Sequence, residues 1–230
     1  MNFDTHKLVK AIKKTLVFVG LGVFVNAYLI VLSNQSALAE DFITKAKGDV
    51  MISGQLLHLA PDEKSVTSIG GTANVDTFTV PIIDARYFVS DNFALETIFG
   101  TTKHSVVATG TALGDVDLGS TWVLPFTFTL QYHIKTNTKF QPYVGAGLNY
   151  TVFYNSSPGD VSRVTYKDGF GAAFNFGVDY FLSPNNYLNF DVKKFKLSTS
   201  NVVDAGAAGI ATADVDLDPV AISIGYGWRF

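Results

Sequence analysis

Beyond about residue 40, apolar side chains recur at every second position along most of the chain. The run is cleanest at Trp122, Leu124, Phe126, Phe128, Leu130 and Tyr132, which alternate with Thr121, Val123, Pro125, Thr127, Thr129, Gln131 and His133. A period of two marks a strand with one face against apolar surroundings. The same reading predicts eight strands: about Phe42 to Ile52, Asp76 to Val89, then 93–100, 121–134, 143–153, 170–182, 188–193 and 220–230. In the last of these, Val220, Ile222, Ile224, Tyr226, Trp228 and Phe230 share one face, while Ala221, Ser223, Gly225, Gly227 and Arg229 share the other. Such a strand has a reason to stay ordered to its final aromatic if it must pair with the first strand and close a sheet.

The connections alternate in length. Short turns are expected around residues 91, 137 and 185, and long connections at about 53–75, 105–120, 155–168 and 198–216. Short turns on one side and long loops on the other are the arrangement of an outer-membrane barrel. Alternation alone also suits a soluble β-sandwich, whose apolar faces turn inward. Long strands, aromatics at strand ends (Trp122, Tyr132, Tyr150, Tyr180, Tyr226, Trp228) and an export signal favour the barrel. The expected fold is therefore all-β: an eight-stranded antiparallel up-and-down transmembrane β-barrel over residues 40–230.

The N-terminus carries the export signal. Lys7, Lys10, Lys13 and Lys14 precede an apolar run from Thr15 to Leu32, and Ala37-Leu38-Ala39 is a small-x-small site ahead of Glu40. Residues 1–39 read as a secretory signal peptide cut between Ala39 and Glu40. The run is long for a signal, so an uncleaved anchor helix is the alternative. Elsewhere no apolar run approaches the roughly 20 residues of a membrane helix, although the chain is 47% hydrophobic and only 16% charged. Cleavage removes four Lys and one Asp, leaving 13 basic and 19 acidic side chains, net −6. That balance gives nucleic acid no footprint. With no Cys, disulfide and thiolate-metal chemistry are excluded.

Eight strands enclose room for side chains or one small ligand. Strand parity puts a polar plug in the periplasmic half, from Asp84, Arg86, Glu96, Asp179, Asp191, Lys193 and Arg229. Ile98, Val123, Phe153, Ala173 and Ala221 form an apolar channel lining farther out. Phe195 and Leu197 join it if the seventh strand keeps its alternation, which turns Lys194 and Lys196 to lipid. That costs roughly 2–4 kcal/mol per Lys at the bilayer midplane and about 0–1 near an interface; a bulge near Lys193 would reverse the faces. Inward charges balance at five cations (Lys45, Lys47, Arg86, Lys193, Arg229) and five carboxylates (Asp49, Asp84, Glu96, Asp179, Asp191), which argues against strong ion selectivity.

A hairpin centred on Asp91 sets Arg86 opposite Glu96, and one centred on Asn185 sets Asp179 opposite Asp191. Paired carboxylates serve acid–base catalysis when their environments split their pKa values; a salt network with Lys193 is the plainer reading. His104 and His133 lie at opposite strand ends, too far apart to share a metal. His104, Ser105, Asp115 and Asp117 gather near the outer rim with no diagnostic spacing, although a lipid-modifying barrel would use such groups. No catalytic, metal or cofactor-binding residue is assigned, and the chain reads as a non-enzyme. Leu56, Leu57 and Leu59 form either a greasy lip or a small loop cluster. The inward glycines, such as Gly147, Gly177 and Gly227, either leave room for a ligand or relieve crowding where the sheet curves.

Three stretches carry a family resemblance: Leu118-Gly119-Ser120-Thr121-Trp122-Val123-Leu124-Pro125 on to Leu130-Gln131-Tyr132-His133; Pro142-Tyr143-Val144-Gly145-Ala146-Gly147-Leu148-Asn149-Tyr150-Thr151; and Asp218-Pro219 through Phe230. In these, and in length and strand order, the chain resembles the OmpW family of small outer-membrane barrels. Members often carry Trp after the Asp-Pro pair, where this chain has Val220. The resemblance implies a narrow apolar interior that passes small hydrophobic molecules across the outer membrane of a Gram-negative cell. The implied partners are outer-membrane lipid, a small hydrophobic ligand and the barrel-assembly machinery, for which Tyr226, Trp228 and Phe230 form the assembly signal. The alternative function is a non-transporting barrel whose extracellular loops bind a partner.

Overall fold

The computed structural model describes residues 45–60, 63–67, 72–75, 77–111, 114–204 and 210–230. The expected signal segment, its cleavage site at Ala39 and Glu40, and Phe42 lie outside the described residues. In chain order the strand segments are β1 (Val50–Ala60), β2 (Glu63–Thr67), β3 (Thr72–Val75), β4 (Phe78–Phe88), β5 (Phe93–Phe99), β6 (Thr102–Thr111) and β7 (Gly114–His133). They continue as β8 (Phe140–Ser157), β9 (Arg163–Tyr166), β10 (Gly169–Ser183), β11 (Asn186–Asp204), β12 (Ile210–Leu217) and β13 (Val220–Arg229). Eight of them close on themselves in the order β1, β4, β5, β7, β8, β10, β11, β13 and back to β1, each pair antiparallel.

The ladder can be followed once around this ring. From Val50 the partners are Tyr87, Leu95, Leu130, Ala146, Phe174, Lys194, Val220 and finally Ala60. The circuit leaves the first strand at residue 50 and returns at residue 60, a shear of ten. Eight strands with that stagger tilt by roughly 40° and leave a bore wide enough for side chains or one small ligand.

Two expectations need correction. The first strand does not run from Phe42 to Ile52 but starts at Val50. Gly48, at φ 95, turns the chain just before it, and the Gly48 amide donates to the Phe88 carbonyl (2.8 Å). Leu56, Leu57 and Leu59 are therefore strand residues rather than a loop cluster: Leu56 faces lipid, Leu57 the bore. Lys47, expected inside, is exposed. The four long connections are also mostly sheet. The 105–120 stretch is a hairpin of β6 and β7, and β12 bridges β11 and β2 across the old 53–75 and 198–216 loops. At 20 residues, β7 is about twice the length a bilayer requires, so the staves extend well beyond the membrane.

Alternation holds along β11 without a bulge; the β10–β11 ladder slips only between Phe181 and Ser183, at the turn. Lys194 and Lys196 therefore face outward, and the Lys194 ammonium is tied to the Asp218 carbonyl. The outer surface carries Ile83, Leu95, Phe128, Leu148, Phe174 and Ile224, each at least half exposed to the space lipid occupies. Tyr87, Tyr132, Tyr180, Tyr226 and Trp228 cluster at the short-turn end as an aromatic girdle.

The closing seam ends at Phe230, whose amide donates to the Val50 carbonyl (2.8 Å) and whose carbonyl accepts from the Val50 amide (3.0 Å). Deleting Phe230 removes both bonds, worth about 1 kcal/mol each. We expect the truncated protein to accumulate in the outer membrane at a much lower level than wild type, and the inserted fraction to melt earlier by heat-modifiable gel migration. Normal membrane levels would show that the terminal aromatic is dispensable for assembly.

Candidate functional site

The bore is stacked in layers. At the periplasmic end Met51, Phe88, Ala94, Phe181 and Tyr187 form a buried apolar floor. Lys45, carried ahead of β1, reaches into it: its ammonium lies 5.9, 5.9 and 5.7 Å from the ring centres of Phe88, Tyr143 and Phe181. It donates to Asp179 Oδ2 (2.5 Å) and to His133 Nδ1 (2.8 Å). Because an ammonium can only donate, His133 must carry its proton on Nε2, which donates to Gln131 Oε1 (3.0 Å).

Above the floor lies a charge network. Arg86 Nη1 donates to both oxygens of Asp179 (2.9 and 3.1 Å), and its Nε lies 2.9 Å from Asp84 Oδ1. The guanidinium also sits 4.7 Å from the centre of the Tyr143 ring. The Tyr143 hydroxyl accepts from Arg86 Nη2 (3.2 Å) and Asn189 Nδ2 (2.9 Å) and donates to Asp191 Oδ2 (2.8 Å). Lys193 Nζ donates to Glu96 Oε1 (2.7 Å) and Asp191 Oδ1 (3.0 Å), and Thr129 donates to Glu96 Oε2 (2.5 Å). Three cations thus meet four carboxylates, all buried. Ions taken out of water survive only when paired; Asp84 Oδ2 is the one carboxylate oxygen of the four without a hydrogen-bond partner among the described residues, and the groups of the layer are at most 3% exposed.

Farther out the lining changes character. Leu57, Ile82, Ile98, Ala173, Phe195 and Ala221 form one buried apolar cluster, with Leu59 and Val80 packed against it. It takes one buried residue from each of β1, β4, β5, β10, β11 and β13. Beside this ring the wall is interrupted. The ladder partners β5 with β7 as far as Ile98–Thr127 and resumes with β6 at Thr102–Val123, leaving out the rungs centred on Gly100 and Pro125. Pro125 has no amide hydrogen to give.

The model of the OmpW family matches residues 46–230. The chain belongs to the OmpW family. It is 37% identical to an uncharacterized outer-membrane protein, y4mB, of Sinorhizobium fredii, over 75% of each chain. It is 32% identical to outer membrane protein W of Vibrio cholerae, over 80% of this chain and 89% of that one. The crystal structure of the outer membrane protein OprG from Pseudomonas aeruginosa superposes with a TM-score of 0.77 at 29% identity, covering 83% of this chain and 99% of that one. The protein is accordingly a β-barrel of the Gram-negative outer membrane.

Within this OmpW-family barrel, Asp84, Arg86, Glu96, Asp179, Asp191 and Lys193 all lie in the charge layer. Arg229 is half-buried at the periplasmic rim, 3.6 Å from Asp49. Arg86 does stand opposite Glu96 in the ladder, but its ionic partners are Asp179 and Asp84. Asp179 does not face Asp191: the ladder centres on Pro184 rather than Asn185, which sets Asp179 opposite Asn189 and Asp191 opposite Gly177, and the Tyr143 hydroxyl joins the two halves instead. Ile98, Ala173, Phe195 and Ala221 lie in the apolar ring, and Leu197 is buried one step beyond Phe195. Val123 and Phe153 pair with each other above it, half-buried, Phe153 stacking on Tyr166 at 5.8 Å. The sequence reading missed Leu57 and Ile82 because it assigned the first to a loop and weighed only the outward neighbour of the second. Tyr226, Trp228 and Phe230 are exposed on the outer face. Among the described residues no His, Asp or Glu group has the arrangement of a metal site.

Asp179 is the network's centre, serving Arg86, Lys45 and Asn189. Asp179→Asn leaves two buried cations short of a partner and should cost roughly 3–5 kcal/mol. Adding Lys45→Met should recover part of that loss. Unfolding of the two variants in urea checks both numbers; an Asp179→Asn barrel as stable as wild type would show that the network is not under this constraint.

Proposed function

We propose that this protein is a conduit that carries small hydrophobic molecules from the cell exterior into the outer membrane, without catalysis. The observation that carries the reading is the six-strand apolar ring standing directly outside a closed charge layer. A solute entering from the extracellular end reaches Leu57, Ile82 and Phe195, which pack in one cluster; as it displaces them it gains about 25 cal/mol per Å² of apolar surface buried. Below, it meets buried ion pairs that it cannot replace. Breaking them strands charge in a low-dielectric bore, so the axial path to the periplasm is the costly one.

The missing rungs at Gly100 and Pro125 supply the cheaper path. They adjoin Ile98, a member of the ring, and lack the ladder pairing that would have to break for the strands to part toward the bilayer. The ladder also lapses beside Ile82, where β4 and β5 stop pairing after Ile83–Phe99, and beside Phe195, between Lys194–Val220 and Leu197–Leu217 at Pro219, so the seam at Pro125 is one of three at the level of the ring. A solute leaving there stays in apolar surroundings throughout. No energy source is required, because the solute only moves down its own gradient.

Ala173 is fully buried in the ring, while Ala146 on β8 is exposed on the lipid side. Ala173→Phe should fill the ring and cut protein-dependent uptake of 1-naphthalenemethanol by intact cells roughly tenfold, as expected when a side chain occupies a ligand site. Ala146→Phe should leave uptake unchanged. If both variants match wild type, with membrane levels checked, the ring is not the route.

A further inference from the structure

The apolar ring draws on six of the eight staves, and the two that contribute nothing to it, β7 and β8, are neighbours. At that level they present polar groups instead. Ile98 is partnered by Thr127 in the ladder, and Thr127 by Asn149. Thr127, Asn149 and Thr151 are all buried, at 1%, 2% and 3% exposure. The lumen at its apolar level is therefore two-sided: hydrocarbon around three-quarters of the wall and one narrow polar stripe.

The stripe is a directed chain of hydrogen bonds. The Thr151 hydroxyl donates to Asn149 Oδ1 (2.7 Å), and Asn149 Nδ2 donates to Thr127 Oγ1 (2.8 Å). With the Asn149 amide in this orientation, Thr127 accepts from it and keeps its own hydroxyl proton. Among the described residues no hydrogen bond is donated by the Thr127 hydroxyl, and Ile98, its ladder partner on β5, carries no side-chain acceptor. The chain ends on a donor, at the edge of the ring and two residues from Pro125, where the wall is interrupted.

The geometry points to a selector for amphiphiles: the ring takes small molecules with an apolar body and one neutral oxygen, an alcohol, ketone or ether, in preference to hydrocarbons of the same shape. This rests on the conduit reading above. The apolar body lies against Leu57, Ile82 and Phe195, and the oxygen accepts the Thr127 proton. A charged group is excluded because the ring provides no counter-ion at this level. A hydrocarbon binds the same apolar wall but leaves the Thr127 donor buried and unpaired, the situation in which sites built around a hydrogen bond reject the analogue that lacks it.

A matched pair of fluorescent probes tests this: 1-naphthalenemethanol and 1-methylnaphthalene, nearly identical in size, differing in one hydroxyl. Protein-dependent initial uptake is measured in intact cells, relative to cells without the protein. Wild type should favour the alcohol by about tenfold. Thr127→Val, which keeps shape and removes the donor, should bring the two probes within about twofold of each other by slowing the alcohol. Thr127→Ser restores a hydroxyl and should retain the preference; it also guards against a folding defect in the valine variant. Equal uptake of both probes by wild type, or an alcohol preference that survives Thr127→Val, overturns the selector while leaving the conduit in place. Uptake of the alcohol that is insensitive to Ala173→Phe overturns the conduit, and the selector with it.

Discussion

Eight strands with a shear of ten fix the radius of this molecule before any side chain is chosen. The bore that results admits one layer of inward groups from each strand, and every large one must be offset by a small one across from it. Tyr143 and Tyr187 are fully buried and both project into space that glycine provides. A Cβ on Gly177 would lie 2.3 Å from the Tyr143 hydroxyl, and one on Gly227 would lie 2.3 Å from the Tyr187 ring. These glycines are thus the receiving half of tyrosine packing, not vacant room for a ligand. Tyr143 in turn places the hydroxyl that joins Arg86, Asn189 and Asp191. The charge layer therefore depends on the width of the bore: one strand more and the same groups would stand apart, wet and unpaired.

That dependence explains why the layer is closed. Buried ion pairs add little to stability over well-packed apolar groups of the same size, but they are costly to break singly. The barrel exploits the second property. Lys45, brought in from outside the strands, completes the coordination of Asp179 and packs among three aromatic rings of the lower bore. The result is a barrel whose apolar ring stands on a buried, ion-paired layer.

Much of this was legible in the sequence, for a simple reason: period-two alternation on a strand that is lipid on one side and packed on the other leaves no ambiguity of facing. The parity of β4, β5, β7, β8, β10 and β13 follows directly from it, and so does the inward placement of Phe195 and Leu197, since no bulge interrupts β11. What failed were the ends. Val50–Ala60 has Gly54, Gln55 and His58 among its residues, so its composition looks like a loop, and only pairing with β13 and β4 makes it a strand. The extensions β2, β3, β6 and β12 are rich in Thr, Ser, Ala and Asp, because beyond the bilayer no lipid selects for an apolar face. Asp179 and Asp191 were misaligned by two residues: the turn pairs Ser183 with Asn186, and a slip between Phe181 and Ser183 moves the ladder one residue further, neither of which side-chain periodicity reports.

The polar stripe was visible in the same alternation yet had no evident meaning there. Thr127 and Asn149 are ordinary lumen residues when each strand is read alone, since the inner face of such barrels is generally polar. They become distinctive only against the ring, when six strands at one level are apolar and two adjoining ones are not. The same two levels of reading apply to Pro125. On its own strand it is a residue that cannot donate; between strands it marks where the ladder to β5 and β6 lapses, next to Ile98 and Thr127. An apolar surface, a hydrogen-bond donor and a weakened seam thus meet at one point on the wall. Each alone has a structural explanation, and it is on their coincidence at one level that the proposed conduit and selector rest.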